Sequence, residues 1–223
     1  MKERVLDYED TFAAFVAAAC PDNAAPMKRY MRDQFEFLGI KTPVRRALER
    51  PLIKAARHSP RVDWEFVEVC WGKSEREFQY LAVDYLRATG GRLTPADLPR
   101  LRSLAERKSW WDSIDGLCPV VGLIAQRHPE ARETVLAWSR DENFWIRRMA
   151  IDHQLTMRER TDTELLAQVI INNLGLPEFF INKAIGWALR DYSKTNPGFV
   201  RSFIETHGGT MAPLSIREAS KYL

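Results

Sequence analysis

The stretch WIRRMAIDHQL (145–155) sets one small residue, Ala150, inside an apolar pattern of helical period. Three other stretches read alike: REFQYLAVDYL (76–86), FINKAIGWALR (180–190) and LSIREASKYL (214–223). Taking the small residue as an anchor gives Ala82, Ala150, Ala184 and Ala219, and Gly116 in KSWWDSIDGL and Ala47 in TPVRRALE complete the series. From 47 to 219 the intervals are 35, 34, 34, 34 and 35 residues, a regularity that chance does not supply. Other helix-compatible stretches, such as Thr163 to Asn173, lie between the anchored ones, with turn signals at Thr89-Gly90-Gly91, Asn173 to Pro177 and Thr195 to Gly198. Each unit therefore predicts a helical hairpin. A hairpin of about 34 residues cannot bury its apolar face alone, so neighbours must stack. The expected fold is all-α, a HEAT-like helical-repeat solenoid (an α-α superhelix) of about six repeats of 34–35 residues. It forms a single domain over residues 1–223, with residues 1–35 as an atypical capping region.

Composition agrees. The chain has 223 residues, of which 45% are hydrophobic and 28% charged, enough apolar material for a sizeable core and too much for a disordered chain. Only 11 Gly and 12 Pro are present, which argues against an all-β protein that turns every ten residues. Cys20, Cys70 and Cys118 lie about fifty residues apart, with no C-x-x-C and no histidine at ligand spacing, so neither a zinc site nor a disulfide framework is written here. Met1-Lys2-Glu3-Arg4, followed by Asp7, Glu9 and Asp10, does not suit a signal peptide, and no run reaches the ~18 apolar residues of a membrane span. A soluble, cytoplasmic monomer is expected. The net charge of +3 is too balanced to announce a nucleic-acid partner, so any basic surface must come from where the charges sit.

That placement can be computed. At about 100° per residue, positions −1, −2, −5, +3 and +6 from each anchor fall on one face, roughly −60° to −200° from the core direction. The face holds Arg45, Arg46, Trp111, Asp115, Arg148, Lys183, Trp187, Arg190 and Arg217. Two tryptophans and one aspartate thus sit among six cations. Trp64, Trp71, Trp138 and Trp145 lie among apolar neighbours and read as core. For Trp111 and Trp187 packing and function both stay open at this point. A lone aspartate is usually solvated or paired with a surface arginine. The coincidence of types is more informative: cations hold phosphates, tryptophan faces hold a cationic or sugar-like group, and a carboxylate stabilises an electron-poor carbon in a cleaving glycosidic bond. His58, His128, His153 and His207 are scattered and read as surface or capping residues; no H-E-x-x-H, G-x-S-x-G, P-loop or G-x-G-x-x-G is present. No cofactor and no metal are expected.

KSWWDSIDG (108–116), FWIRRMAI (144–151), INKAIGWALRDYSKTNP (181–197) and MKRYMRDQFEFLGIKTPVRR (27–46) together resemble the AlkD family of DNA alkylation repair glycosylases, over nearly the whole chain. The resemblance implies a HEAT-like solenoid that binds duplex DNA on a concave basic face and releases N3- and N7-alkylated purines, such as 3-methyladenine and 7-methylguanine. It places the family's catalytic set on Trp111, Asp115, Arg148 and Trp187, with Arg148 expected to hold a phosphate, and the family tyrosine on Tyr30. The candidate DNA contacts are then Tyr30, Thr42, Arg45, Arg46, Lys183, Arg190, Lys194 and Arg217. The expected partner is double-stranded DNA carrying alkylated purines, with no membrane, and the protein is expected at the nucleoid when bound. The competing expectation is a non-catalytic helical-repeat scaffold or DNA-binding module, since fold does not fix function.

Overall fold

The computed structural model of the chain describes residues 7–223, so the Met1-Lys2-Glu3-Arg4 leader reading lies outside the described residues. Among the described residues there are thirteen α-helices and no strand. The chain is an all-α fold of repeated helix pairs, and it divides into two compact units, one up to Leu93 and one from Thr94 to Leu223.

The first unit holds α1 (Glu9–Ala17), α2 (Pro21–Tyr30), α3 (Thr42–Ala56), α4 (Trp64–Gly72) and α5 (Arg76–Thr89). The second holds α6 (Leu98–Glu106), α7 (Trp111–Arg127), α8 (Ala131–Trp138), α9 (Phe144–Asp152), α10 (Thr163–Ile171), α11 (Phe179–Ser193), α12 (Pro197–His207) and α13 (Pro213–Ala219). Helices α3, α5, α7, α9, α11 and α13 begin at residues 42, 76, 111, 144, 179 and 213, at intervals of 34, 35, 33, 35 and 34. The anchor period is therefore the spacing of the second helix of each pair. Starts are fixed locally. Asp63, Asn143, Asp162 and Asn196 accept hydrogen bonds from the backbone N–H of Phe66, Trp145, Leu165 and Phe199, satisfying donors that a helix leaves free at its N-terminus.

In the first unit an aromatic core forms around Tyr8, Phe12, Phe66, Phe78 and Tyr85, with neighbouring ring centroids about 5 Å apart. The loop before α3 is held by the fully buried Glu77, whose carboxylate accepts from the N–H groups of Leu38, Gly39 and Ile40 at 3.0, 2.8 and 3.1 Å. The second unit buries Ile114, Leu117, Val121, Ile146, Met149, Ile185 and Leu189 completely, each contributing about 1.5–3 kcal/mol of transfer free energy. Two glycines allow close helix approach there. A Cβ at Gly122 would lie 2.1 Å from the His153 carbonyl oxygen, and one at Gly186 would lie 2.6 Å from the Glu218 Cβ.

The anchors behave unevenly. Ala82, Ala150, Ala184 and Ala219 are fully buried, Gly116 is half-buried, and Ala47 is exposed. The expectation of six equivalent buried sites fails at α3, whose inward stripe is Arg45, Glu49, Leu52 and Ala56. Two of those four positions are charged, so an apolar template placed the helix about two residues out of phase. Trp71, Trp138 and Trp145 are buried as expected, while Trp64 is half-buried.

Candidate active site

Asp115 lies one turn into α7, four residues after Trp111 at its start, and both are half-buried. Pro119 lies four residues beyond Asp115 inside α7. Proline has no N–H to donate, so the intrahelical bond that would end on the Asp115 carbonyl is missing. The Asp115 carboxylate, with its side chain 15% exposed, is gripped by Arg148 of α9: Nε donates to Oδ1 at 2.7 Å and Nη2 to Oδ2 at 3.0 Å. The third edge of the guanidinium donates from Nη1 to the carbonyl oxygen of Phe180, in the first turn of α11, at 2.7 Å. One arginine thus fixes a carboxylate of α7 against α9 and α11, using the planar fork that suits two-point recognition.

Burial pushes the Asp115 carboxyl above the usual aspartate value, and the hydrogen bonds and charge of Arg148 offset part of that rise. Arg148 itself is pushed further toward the charged form: the negative charge of Asp152 and the hydrogen bond to Asp115 outweigh burial, which acts the other way. With its side chain only 3% exposed, Arg148 is turned into the protein. The expected phosphate-holding role does not fit this geometry, because its donors already face Asp115 and Phe180.

Trp187 is half-buried on α11, one residue after Gly186, and makes no hydrogen bond or ring contact among the described residues. At the N-terminal ends of α7, α9 and α11, Trp110, Trp145 and Phe180 form an aromatic cluster with centroids 4.9 to 5.9 Å apart. The structure thus joins Asp115 to Arg148 directly and puts Trp111 on the same helix as Asp115. Trp187 stands on α11, whose first turn accepts from Arg148.

The remaining cations divide by environment. Lys183 and Arg190 both pair with Glu218 of α13, the first at 3.1 Å, and Lys221 joins them at 2.9 Å. Lys221 first, and then Lys183, hold the Glu218 carboxyl down to about 2 against the opposing effect of burial. Lys194 and Arg217 are exposed, and the Lys194 ammonium lies 5.1 Å from the centre of the Tyr222 ring. In the first unit Tyr30, Thr42 and Arg46 are exposed. Arg45 is a correction: it is 5% exposed, and its Nη1 meets Glu49 at 2.7 Å and Asp84 at 2.8 Å, so it faces the interior of its unit and offers no phosphate contact. The expectation that it faces outward follows from the misphased α3.

No group of three or more histidines, cysteines or carboxylates placed to hold a metal ion occurs among the described residues, and no helix there is long and apolar enough to cross a membrane. A family model described as DNA alkylation repair enzyme matches residues 12–223. The chain belongs to that family. A solved structure described as a predicted DNA alkylation repair enzyme from Enterococcus faecalis is 38% identical, with 91% of this chain and 95% of that chain covered and a TM-score of 0.84. No curated protein matches the chain.

Two residues of this DNA alkylation repair family member escaped sequence reasoning. Asp152, fully buried, lies one turn beyond Arg148, and its Oδ2 is 3.5 Å from Nη2. The signal was present as an i,i+4 Arg–Asp spacing in RRMAID. Glu218, which gathers three cations, carried only the i,i+3 spacing to Lys221 as a local signal, because its other two partners, Lys183 and Arg190, come from α11.

Proposed function

We propose that the protein is a DNA glycosylase that hydrolyses the N-glycosidic bond of N3- and N7-alkylated purines, such as 3-methyladenine and 7-methylguanine, in duplex DNA. The observation that carries this reading is the two-point Asp115–Arg148 pair. It holds a partly exposed carboxylate rigid, on the helix of Trp111 and beside the helix of Trp187. Family membership supports the damage class.

The chemistry follows from the charge of the lesion. Alkylation at N3 or N7 makes the purine a cation, so when the C1′–N bond breaks its electron pair neutralises the base and no acid is needed. Positive charge moves to C1′ and the ring oxygen. A fixed carboxylate lowers the energy of that state because its orientation does not have to be created during the reaction. Water then adds at C1′ and passes its proton to Asp115. Trp111 and Trp187 flank the sugar and the cationic base through their ring faces. Exposed Tyr30, Thr42, Arg46, Lys194 and Arg217, with Lys183 and Arg190, provide the contacts to the DNA backbone.

Base release from an N-methylated duplex tests the reading. The wild-type protein is expected to release 3-methyladenine and 7-methylguanine and to leave hypoxanthine, a neutral base whose departure needs protonation. Absence of all release would favour the non-catalytic DNA-binding alternative.

A further inference from the structure

Asp152 is the residue of this neighbourhood that the mechanism above does not use. It lies in the last turn of α9, is completely buried, and neither of its carboxylate oxygens finds a hydrogen-bond donor. Among the described residues the single cation it meets is Arg148, at 3.5 Å, and Arg148 is the residue that grips Asp115. The three side chains therefore form a line, with one guanidinium between two carboxyls. A buried carboxyl without donors is an expensive group to keep in a core.

We propose that Asp152 is a positioning residue for the reaction at Asp115, acting through Arg148 to set how negative the reactive carboxylate is. This rests on the glycosylase reading. When Asp152 is neutral, the charge of Arg148 acts on Asp115 alone and the pair is close to zero overall. When Asp152 is ionised, Arg148 is shared, the triad carries one net negative charge, and the cationic sugar beside Asp115 is better stabilised. Both effects of ionisation act in the same direction.

The titration falls in a useful range. Burial raises the Asp152 carboxyl to about 7, Arg148 opposes the rise and Asp115 adds to it. Arg148 faces it from its own helix, and Asp115 and the Cys118 thiol, itself pushed up by burial, face it from α7. The adjacent His153 is lowered to about 4 by burial and stays neutral. No charged group of α6, α8, α10 or α11 acts on it among the described residues. Bound DNA, a polyanion, moves the titration to higher pH.

The test compares wild type with Asp152→Asn, which keeps the shape and removes the charge. Single-turnover release of 7-methylguanine is measured for both proteins on the same duplex from pH 6 to 9, and the rates are taken as a ratio, which cancels any titration of the lesion. Wild type is expected to be about ten-fold faster at the alkaline end and nearly equal at pH 6, since one added buried charge a few ångströms away is worth about a factor of ten or more. Asp152→Ala is carried in parallel, so the pH dependence of the ratio can be read even where the Asn variant folds poorly. A second readout does not depend on activity. A carboxyl with a raised folded-state pKa contributes stability at low pH that is lost as pH rises from the ordinary aspartate value toward the folded value of about 7, so urea midpoints of Asp152→Asn are expected to gain on wild type between about pH 4 and 7 and to run parallel above. A ratio that does not change with pH, or stability curves that run parallel throughout, overturns the proposal while leaving the glycosylase reading intact. No release by wild type at any pH overturns both.

Discussion

Each unit of the molecule contains an arginine buried between two acids, and the two triads are built on the same arithmetic. In the first unit Arg45 meets Glu49 one turn along α3 and Asp84 from α5; in the second Arg148 meets Asp152 one turn along α9 and Asp115 from α7. An aromatic residue stands four positions before the outer acid in both, Tyr80 before Asp84 and Trp111 before Asp115. The outer acids are similarly accessible, 19% and 15% exposed. The difference is in how the arginine is held. Arg45 reaches both of its acids from one nitrogen, the Asp84 Oδ2 gains no well-aligned hydrogen bond, and the guanidinium lies 5.5 Å from the centre of the Tyr80 ring. Arg148 gives two parallel hydrogen bonds to Asp115 and a third to a neighbouring helix, which removes its freedom to turn. On the proposed glycosylase reading, an ion pair alone does not mark the reactive carboxylate; orientation from three helices does, because electrostatic stabilisation of a transition state depends on charges already in place.

The largest expected effect separates the two outer acids. Asp115→Asn preserves size and packing but removes the charge, and release of 7-methylguanine in single turnover is expected to slow by about two orders of magnitude or more. Asp84→Asn makes the same chemical change in the other triad and is expected to leave release within about two-fold. Equal losses in both variants would mean that the triads are equivalent and that the two-point grip is not what selects Asp115.

The arginines give the next contrast. Arg148→Ala and Arg45→Ala each strand one buried and one half-buried acid and are expected to lower unfolding free energy by about 3–5 kcal/mol, read from urea titrations near neutral pH. Lysine then distinguishes them. Arg45→Lys supplies a single-point charge where a single nitrogen was used, and it is expected to recover most of the stability. Arg148→Lys cannot reproduce the fork, so base release is expected to stay about ten-fold or more below wild type even where folding recovers. Full recovery of release in Arg148→Lys would show that charge, and not alignment, is what Asp115 needs.

The same comparison explains what could be read in the sequence. The helix-pair period was legible because six second helices begin 33 to 35 residues apart, and each of five carries a small residue in an otherwise apolar stripe. It failed at α3, where Arg45 and Glu49 occupy inward positions. The pattern rule treats charged residues as solvent-facing, and the partner that reverses the rule, Asp84, is 39 residues away on another helix. Arg148 was misjudged in the same way. Its residue type and face were legible, but its burial depends on Asp115, which is 33 residues distant, and on a backbone carbonyl of α11. Local periodicity gives the face of a helix. Whether a cation on that face turns outward or inward is decided by partners that a single helix does not contain.

The smallest effect concerns the cations that remain at the surface, and it tests this inward and outward division directly. A lysine or arginine on a DNA phosphate displaces about one condensed counterion, so its removal flattens the slope of log affinity against log salt by about 0.9. Arg217 is exposed and makes no ion pair among the described residues, so Arg217→Ala is expected to show nearly the whole of that change if it touches DNA. Lys183 is already paired with Glu218 in the free protein. Its phosphate contact must compete with that carboxylate, and Lys183→Ala is expected to flatten the slope by less. Arg45→Ala, which loses a cation that points into its unit, is expected to leave the slope unchanged under conditions where the variant remains folded. Measured by titrating a fluorescent duplex at several salt concentrations, the three slopes are thus expected in the order Arg217, Lys183, Arg45. A full unit lost in Arg45→Ala would mean that the buried arginine turns outward on DNA, and the contrast between a structural triad and a surface contact would have to be redrawn.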